Sequence, residues 1–240
     1  MAKLVWDATG ERYYETGTRM GVLYPQNEAG AYPTGVAWNG LTGVTETPSG
    51  ADATALWADD DKYLELRAKE EFGGSISAYT YPDEWEQCNG EAEPVTGVVI
   101  GQQTRHPFGL CYRTVLGNDV LRDDYGYKLH LIYNATVSPS ERAYTTENDS
   151  PEAIEFSWEF TTTPINIAGY NKISCMTIDS TKVDKDKLSA LEDILYGSEE
   201  GSARLPLPDE VIEKLAGTGT QTGQTGQTGQ TGQTGQESNP

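Results

Sequence analysis

The side chains that could do chemistry in this chain of 240 residues are 2 histidines, 37 carboxylates and 3 cysteines. His106 stands in a turn-like Arg-His-Pro, and His130 alternates with Lys128 and Ile132 along a strand-like run. Zinc binding and Ser/His/Asp catalysis both require histidine with fixed partners, and no second ligand lies at metal spacing from either one. Two carboxylate pairs flank tryptophans: Glu84 and Glu86 beside Trp85, and Glu155 and Glu159 around Trp158. Paired carboxylates cleave glycosidic bonds. The plainer reading of the second pair is a strand with one acidic face, because Glu155, Ser157 and Glu159 share one side while Phe156, Trp158 and Phe160 share the other. The run Asp59-Asp60-Asp61 lacks the spacing of a calcium-binding EF-hand loop and reads as a solvated turn. Neither a P-loop nor a dinucleotide-binding glycine pattern occurs. The expectation is a protein that is not an enzyme and carries neither cofactor nor metal.

The elements that hold these residues are mostly strands. Phe72–Tyr81, Phe108–Leu116, Tyr125–Val137 and Ala153–Thr163 alternate apolar and polar residues, rich in β-branched and aromatic types and bounded by turn formers. That period of two marks half-buried antiparallel strands. Asn118–Tyr125 and Ser138–Ser150 would be turns of the meander. Upstream, Asn39-Gly40 is a tight-turn signal, which suggests a hairpin from about Thr34 to Glu46. Thr47–Asp61 reads as a polar loop with one short strand, followed by a strand from Lys62 to Arg67. Gly90–Thr104 reads as a long loop, and loops of that length tend to be functional. A short helix is expected after Pro82, where acids suit a first turn. A clear amphipathic helix spans Asp184–Tyr196, with Leu188, Leu191, Ile194 and Leu195 on one stripe, Asp184 or Thr181 as cap and Gly197 at its end. A second short helix covers Asp209–Leu215.

Composition narrows the classes further. With 17 basic side chains against 37 acidic ones the formal charge is −20, unevenly placed as −11 over residues 1–100, −8 over 101–216 and −1 in the tail. Such a surface repels nucleic acid and anionic membranes rather than binding them. The 14 Tyr and 5 Trp exceed what a disordered chain would carry, and both types favour interfaces. Cys88, Cys111 and Cys175 form no C-x-x-C pair, so neither disulfide framework nor zinc site is indicated, and a reducing compartment fits. No apolar run of transmembrane length occurs, and the opening MAKLVWDATG lacks the apolar core of an export signal.

Read as whole phrases, AYTYPDEW, GQQTRHPFGLCYRTVLGND, YGYKLHLIYNA and NDSPEAIEFSWEFTTTP resemble the major tail protein, or tail tube protein, of long-tailed bacteriophages. The resemblance spans roughly Lys3 to Leu215. It implies a mainly β fold, an antiparallel β-sandwich or barrel with one flanking α-helix, the helix being Asp184–Tyr196. It also implies a homo-oligomer: rings, typically hexameric, that stack into a tube in the virion tail, with subunits made in the host cytoplasm. The implied partners are a tape-measure protein and tail-tip proteins, and DNA passes through the lumen without specific binding. On this reading the arm residues Lys3, Leu4 and Trp6 and the loop residues Leu56 and Trp57 are candidates for contacts between subunits. An acidic bore would let phosphates slide without sticking, and Glu65, Glu71, Glu155 and Glu159 are candidates to line it.

The alternative is a tethered β-sandwich that binds carbohydrate or a cell surface, with Trp38, Trp57 and Trp85 as stacking platforms. The expected organisation is one β-rich domain over 1–216 with an N-terminal arm, then a flexible tail over 217–240. In that tail Thr-Gly-Gln recurs without proline or apolar side chains, so it suits a flexible tether and not a collagen helix.

Overall fold

The computed structural model describes residues 3–146, 153–199 and 201–217. In chain order the first half holds β1 (Tyr13–Pro25), β2 (Val36–Ala37), β3 (Leu41–Glu46), β4 (Ser49–Gly50), β5 (Ala53–Ala58), β6 (Asp61–Arg67), β7 (Glu70–Glu71) and β8 (Gly73–Ala78). After these come α1 (Trp85–Asn89), β9 (Ala92–Val95), β10 (Val98–Ile100), β11 (Phe108–Asn118) and β12 (Arg122–Val137). The remainder is β13 (Phe156–Thr162), β14 (Cys175–Asp179), α2 (Lys185–Tyr196) and α3 (Pro208–Ala216).

An antiparallel sheet of eight strands runs in the order β2-β1-β11-β12-β13-β8-β3, with β14 also paired to β12. Its two end strands, β2 and β3, are consecutive in the chain and separated only by Trp38, Asn39 and Gly40. The sheet therefore rolls until its ends approach, which brings a Cβ built on Gly21 of β1 within 2.7 Å of Leu41 in β3. Rolling encloses one core; the outer side of β1, β11, β12 and β14 carries a second.

Inside the roll, Trp38, Trp85 and Trp158 cluster with Phe108 and Phe160. The Trp38 and Trp85 rings lie 4.6 Å apart and the Trp85 and Trp158 rings 5.3 Å apart. The indole of Trp38 donates to the Thr80 carbonyl at 2.9 Å, giving its polar edge the partner that burial demands. On the outer side, Leu188, Leu191 and Leu195 of α2 and Val211 of α3 pack on Cys111, Leu129, Leu131 and Tyr133. β12 is thus buried on both faces, and it changes role midway. β14 pairs with it at Lys128–Ile132 and β13 at Ala135–Val137. Between them a register shift against β11 and a left-handed Asn134 (φ 50°) form a bulge. The bulge adds one residue, so Ile132 and Ala135 both face the inner core.

The sequence expectations hold for the main strands, for α1, and for α2 and α3 to within two residues. The Asp184 side chain caps α2 by accepting from the backbone of Asp186 and Lys187. Acidic Ser157-side positions and apolar Trp158-side positions alternate on β13 as expected. Two expectations are corrected. Val36–Ala37 and Leu41–Glu46 do not form a hairpin with each other: β2 pairs with β1 and β3 with β8, at opposite ends of the sheet. The Gly90–Thr104 stretch is not a plain loop but holds the β9–β10 ribbon, turned at Gly97 with φ 82°. Part of the expected Ser138–Ser150 turn, and the Thr-Gly-Gln tail beyond Gly217, lie outside the described residues. Among the described residues no helix is long and apolar enough to cross a membrane.

Candidate assembly surface

The β5–β6 hairpin stands away from both cores. Its turn is Asp59-Asp60, with φ of 51° and 64°, the left-handed pair that a two-residue hairpin turn requires and that aspartate tolerates. The acidic run is therefore a turn, as its spacing suggested. Cross-strand pairing sets Thr54 opposite Leu66 and Leu56 opposite Leu64 on one face, and Ala55 opposite Glu65 on the other. A two-stranded ribbon is marginal in water without a surface to pack on. Here Leu56, Trp57, Tyr63, Leu64 and Leu66 are 40%, 68%, 75%, 45% and 52% exposed. This apolar area stays open to solvent on a ribbon that packs on neither core.

The hairpin is rooted by β4 paired to β7 and by the Thr47 amide donating to the Gly73 carbonyl at 2.7 Å. Gly50 at the root has φ 84°, and a Cβ there would come within 2.6 Å of the Lys69 carbonyl oxygen, so only glycine fits.

At the N-terminus, the arm is tied from Gly10 onward. The Gly10 amide donates to Asp119, and the Asn118 side chain donates to the Gly10 carbonyl at 3.1 Å. Lys3, Leu4 and Trp6 lie ahead of that tie and are exposed, Leu4 at 72% and Trp6 at 75%.

The four acidic candidates fall in different places. Glu155 and Glu159 lie on the outward face around β13, the side opposite buried Trp158. Register places Ser77 and Gly43 beside Ser157, and Ser75 and Thr45 beside Glu159. That face is built of acid, hydroxyl and glycine, and Glu155 accepts from the Thr42 hydroxyl. Glu71 joins Glu159 in a cleft of about 310 Å³ at the hairpin root. Glu65 is not part of that group: it sits on the hairpin between Lys62 at 2.5 Å and Arg67 at 3.1 Å.

Of the proposed stacking platforms, Trp38 and Trp85 are buried in the core and only Trp57 is exposed. Glu84 and Glu86 flank the buried Trp85 and line an acidic cleft of about 460 Å³ with Asp83, Glu91 and Glu93. Partial desolvation first, and then the nearby charges of Glu93, Glu91 and Asp83, raise the pKa of Glu86. The Trp85 ring, fully buried, offers no face there to stack a sugar. Cys88 and Cys111 are buried free thiols whose pKa is pushed up to about 12 by burial, which makes them inert.

Sequence reasoning missed two features. One is the β9–β10 ribbon, where Val95, Val98, Val99 and Ile100 are exposed; its Thr96-Gly97 turn was the available signal. The other is a polar cluster of Glu15, Glu46, Lys128 and His130, drawn from three strands that are distant in sequence.

No protein-family model matches the chain, and no curated protein matches it in sequence. Among solved structures, a chain of an extracellular contractile injection system (the cryo-EM structure of the PVC sheath-tube complex in its extended state) aligns with 67% of this chain and 88% of its own length. The two are 9% identical, with a TM-score of 0.30.

Proposed function

We propose that this chain is a structural subunit that self-assembles into stacked rings, six-membered by the family resemblance, forming the tail tube of a bacteriophage. The observation that carries the reading is the β5–β6 hairpin. It displays Leu56, Trp57, Leu64 and Leu66 to solvent and packs on neither core, so it requires a surface that a second copy supplies. The phrase-level resemblance of the sequence, the rolled sheet and the helices on its outer side agree with this reading.

In such a tube Lys3, Leu4 and Trp6 of the arm join Leu56 and Trp57 in contacts between subunits. The acid and hydroxyl face with Glu155 and Glu159 lines the bore, with Glu71 at its margin. Glu65, already ion-paired, contributes less to repelling phosphate. DNA transits without specific binding, length is set with a tape-measure protein, and tail-tip proteins begin assembly. The chain has no enzymatic role.

The test is negative-stain electron microscopy of the purified chain at rising concentration and salt. Hollow filaments or stacked rings are the expected result. A monomer that persists even when seeded with tail-tip proteins would overturn the reading. The tethered binding module is the weaker reading, because two of its three tryptophan platforms are core residues.

A further inference from the structure

On the inner side of the roll, past the core, His130 sits in a cage of groups from four strands. Its side chain is 13% exposed, and its ring lies flat on that of Tyr112, with centroids 4.6 Å apart and planes 2° apart. Nε2 is 2.9 Å from the Thr114 hydroxyl oxygen and 3.4 Å from Glu15 Oε1. Nδ1 is 3.6 Å from Glu46 Oε1 and has no hydrogen-bond partner among the described residues.

The hydroxyls in the cage decide where the ring protons must be. Thr114 donates to Glu15 at 2.5 Å, and Tyr112 donates to Glu46 at 2.6 Å. Each hydroxyl has a single hydrogen, so the Thr114 oxygen is left to accept from His130, and Nε2 must carry a hydrogen. In the neutral ring Nδ1 is then a bare lone pair aimed at a carboxylate. Only the imidazolium offers an N–H to both sides.

We infer that His130 is a proton-operated latch for the β5–β6 hairpin: its imidazolium holds Glu46, and loss of the proton releases it. Glu46 is the last residue of β3, and the chain enters the hairpin root at Thr47 directly after it. The other charged groups leave this task to His130. Lys128 of β12 is engaged by Glu15 of β1 at 2.5 Å. Beyond Glu46 stand the Cys175 thiol of β14 and Glu70 of β7; both Glu46 and Glu70 act on Cys175, and neither supplies a positive charge. Among the described residues, the one ion pair of Glu46 is with His130. The latch is independent of what the hairpin binds.

Hydrogen exchange with mass-spectrometric detection on the full chain tests it, with rates corrected for the intrinsic effect of pH. Exchange at the imidazole C2 position gives the titration of His130 in the same samples, with His106 as internal reference. The backbone amides of residues 47–72 are expected to exchange about fivefold more slowly on the acid side of the His130 midpoint, the scale of one partly exposed ion pair. The range stays above the ordinary carboxylate region, so the glutamates remain charged. In His130→Gln the step should vanish. In Glu46→Gln it should also vanish while His130 still titrates; this second variant changes a half-exposed group and carries the test if the first does not fold. A wild-type chain without a step at that midpoint, or a step that survives in either variant, would overturn the latch.

Discussion

Leu56 lies directly opposite Leu64 on the β5–β6 hairpin, and both remain open to solvent although each could bury most of its area against a flat surface. Cross-strand apolar pairs stabilise a ribbon by only about 0.2–1 kcal/mol. The hairpin therefore gains little stability from its own cross-strand pairs.

The double variant Leu56→Ser/Leu64→Ser should abolish filament formation while shifting the urea midpoint of the monomer very little. Substitutions at exposed positions usually cost within about 0.5 kcal/mol. Electron microscopy reads the first effect and equilibrium unfolding the second. A large loss of monomer stability would mean that the hairpin packs on its own domain.

The tryptophans should separate cleanly. Trp85→Ala removes a fully buried ring that touches Trp38, Trp158 and Phe108 and should cost about 3–5 kcal/mol in unfolding experiments. Trp57→Ala should leave the monomer unchanged and weaken assembly. Equal destabilisation by both would contradict the placement of Trp57 on a free ribbon.

With a formal charge of −20 per chain, the proposed assembly would bring like-charged faces together. Raising salt shortens the screening length to about 10 Å at 0.1 M, so the critical concentration for assembly should fall as salt rises. Glu155→Gln/Glu159→Gln should reduce that dependence. Sedimentation across a salt series checks it, and assembly that weakens with salt would show that ion pairs hold the subunits instead.

Acid stability has a defined direction. The Arg204 guanidinium meets Glu210 at 2.9 and 2.5 Å and, first among several causes, holds that carboxyl below its ordinary value of 4.5. Glu46 is held below the same value, first by His130 and also by the Tyr112 hydroxyl, while burial opposes the shift. A depressed folded-state pKa stabilises the fold above the unfolded value and is lost as pH falls through the folded one. Stability should therefore begin to drop below 4.5. Because Arg204 and Glu210 are a third or more exposed, their pair is worth about 1 kcal/mol or less. Urea midpoints measured against pH for the wild type and Glu210→Gln should converge at low pH; a constant gap would remove Glu210 from the acid response.

Much of this architecture is legible in the chain because its determinants are local. Alternation in Phe156–Phe160 assigns the faces of β13, and the leucine spacing with Asp184 and Gly197 fixes α2. The Asp59-Asp60 turn is marked by residues that accept left-handed angles. None of these needs a distant partner.

Other features depend on which strands meet. Trp38 and Trp57 are equally plausible as surface rings when read in sequence. Tertiary folding buries Trp38, because β2 and β3 are carried to opposite ends of a sheet that rolls closed, while the hairpin bearing Trp57 is left outside. Likewise no sequence period joins Glu15, Glu46 and His130: their strands are distant in the chain, and antiparallel pairing and sheet curvature bring them into one cage. Spacing along the chain determines helices, turns and strand faces, whose interactions span a few residues. Burial and charge clustering belong to pairing between distant segments, and only the tertiary structure decides them.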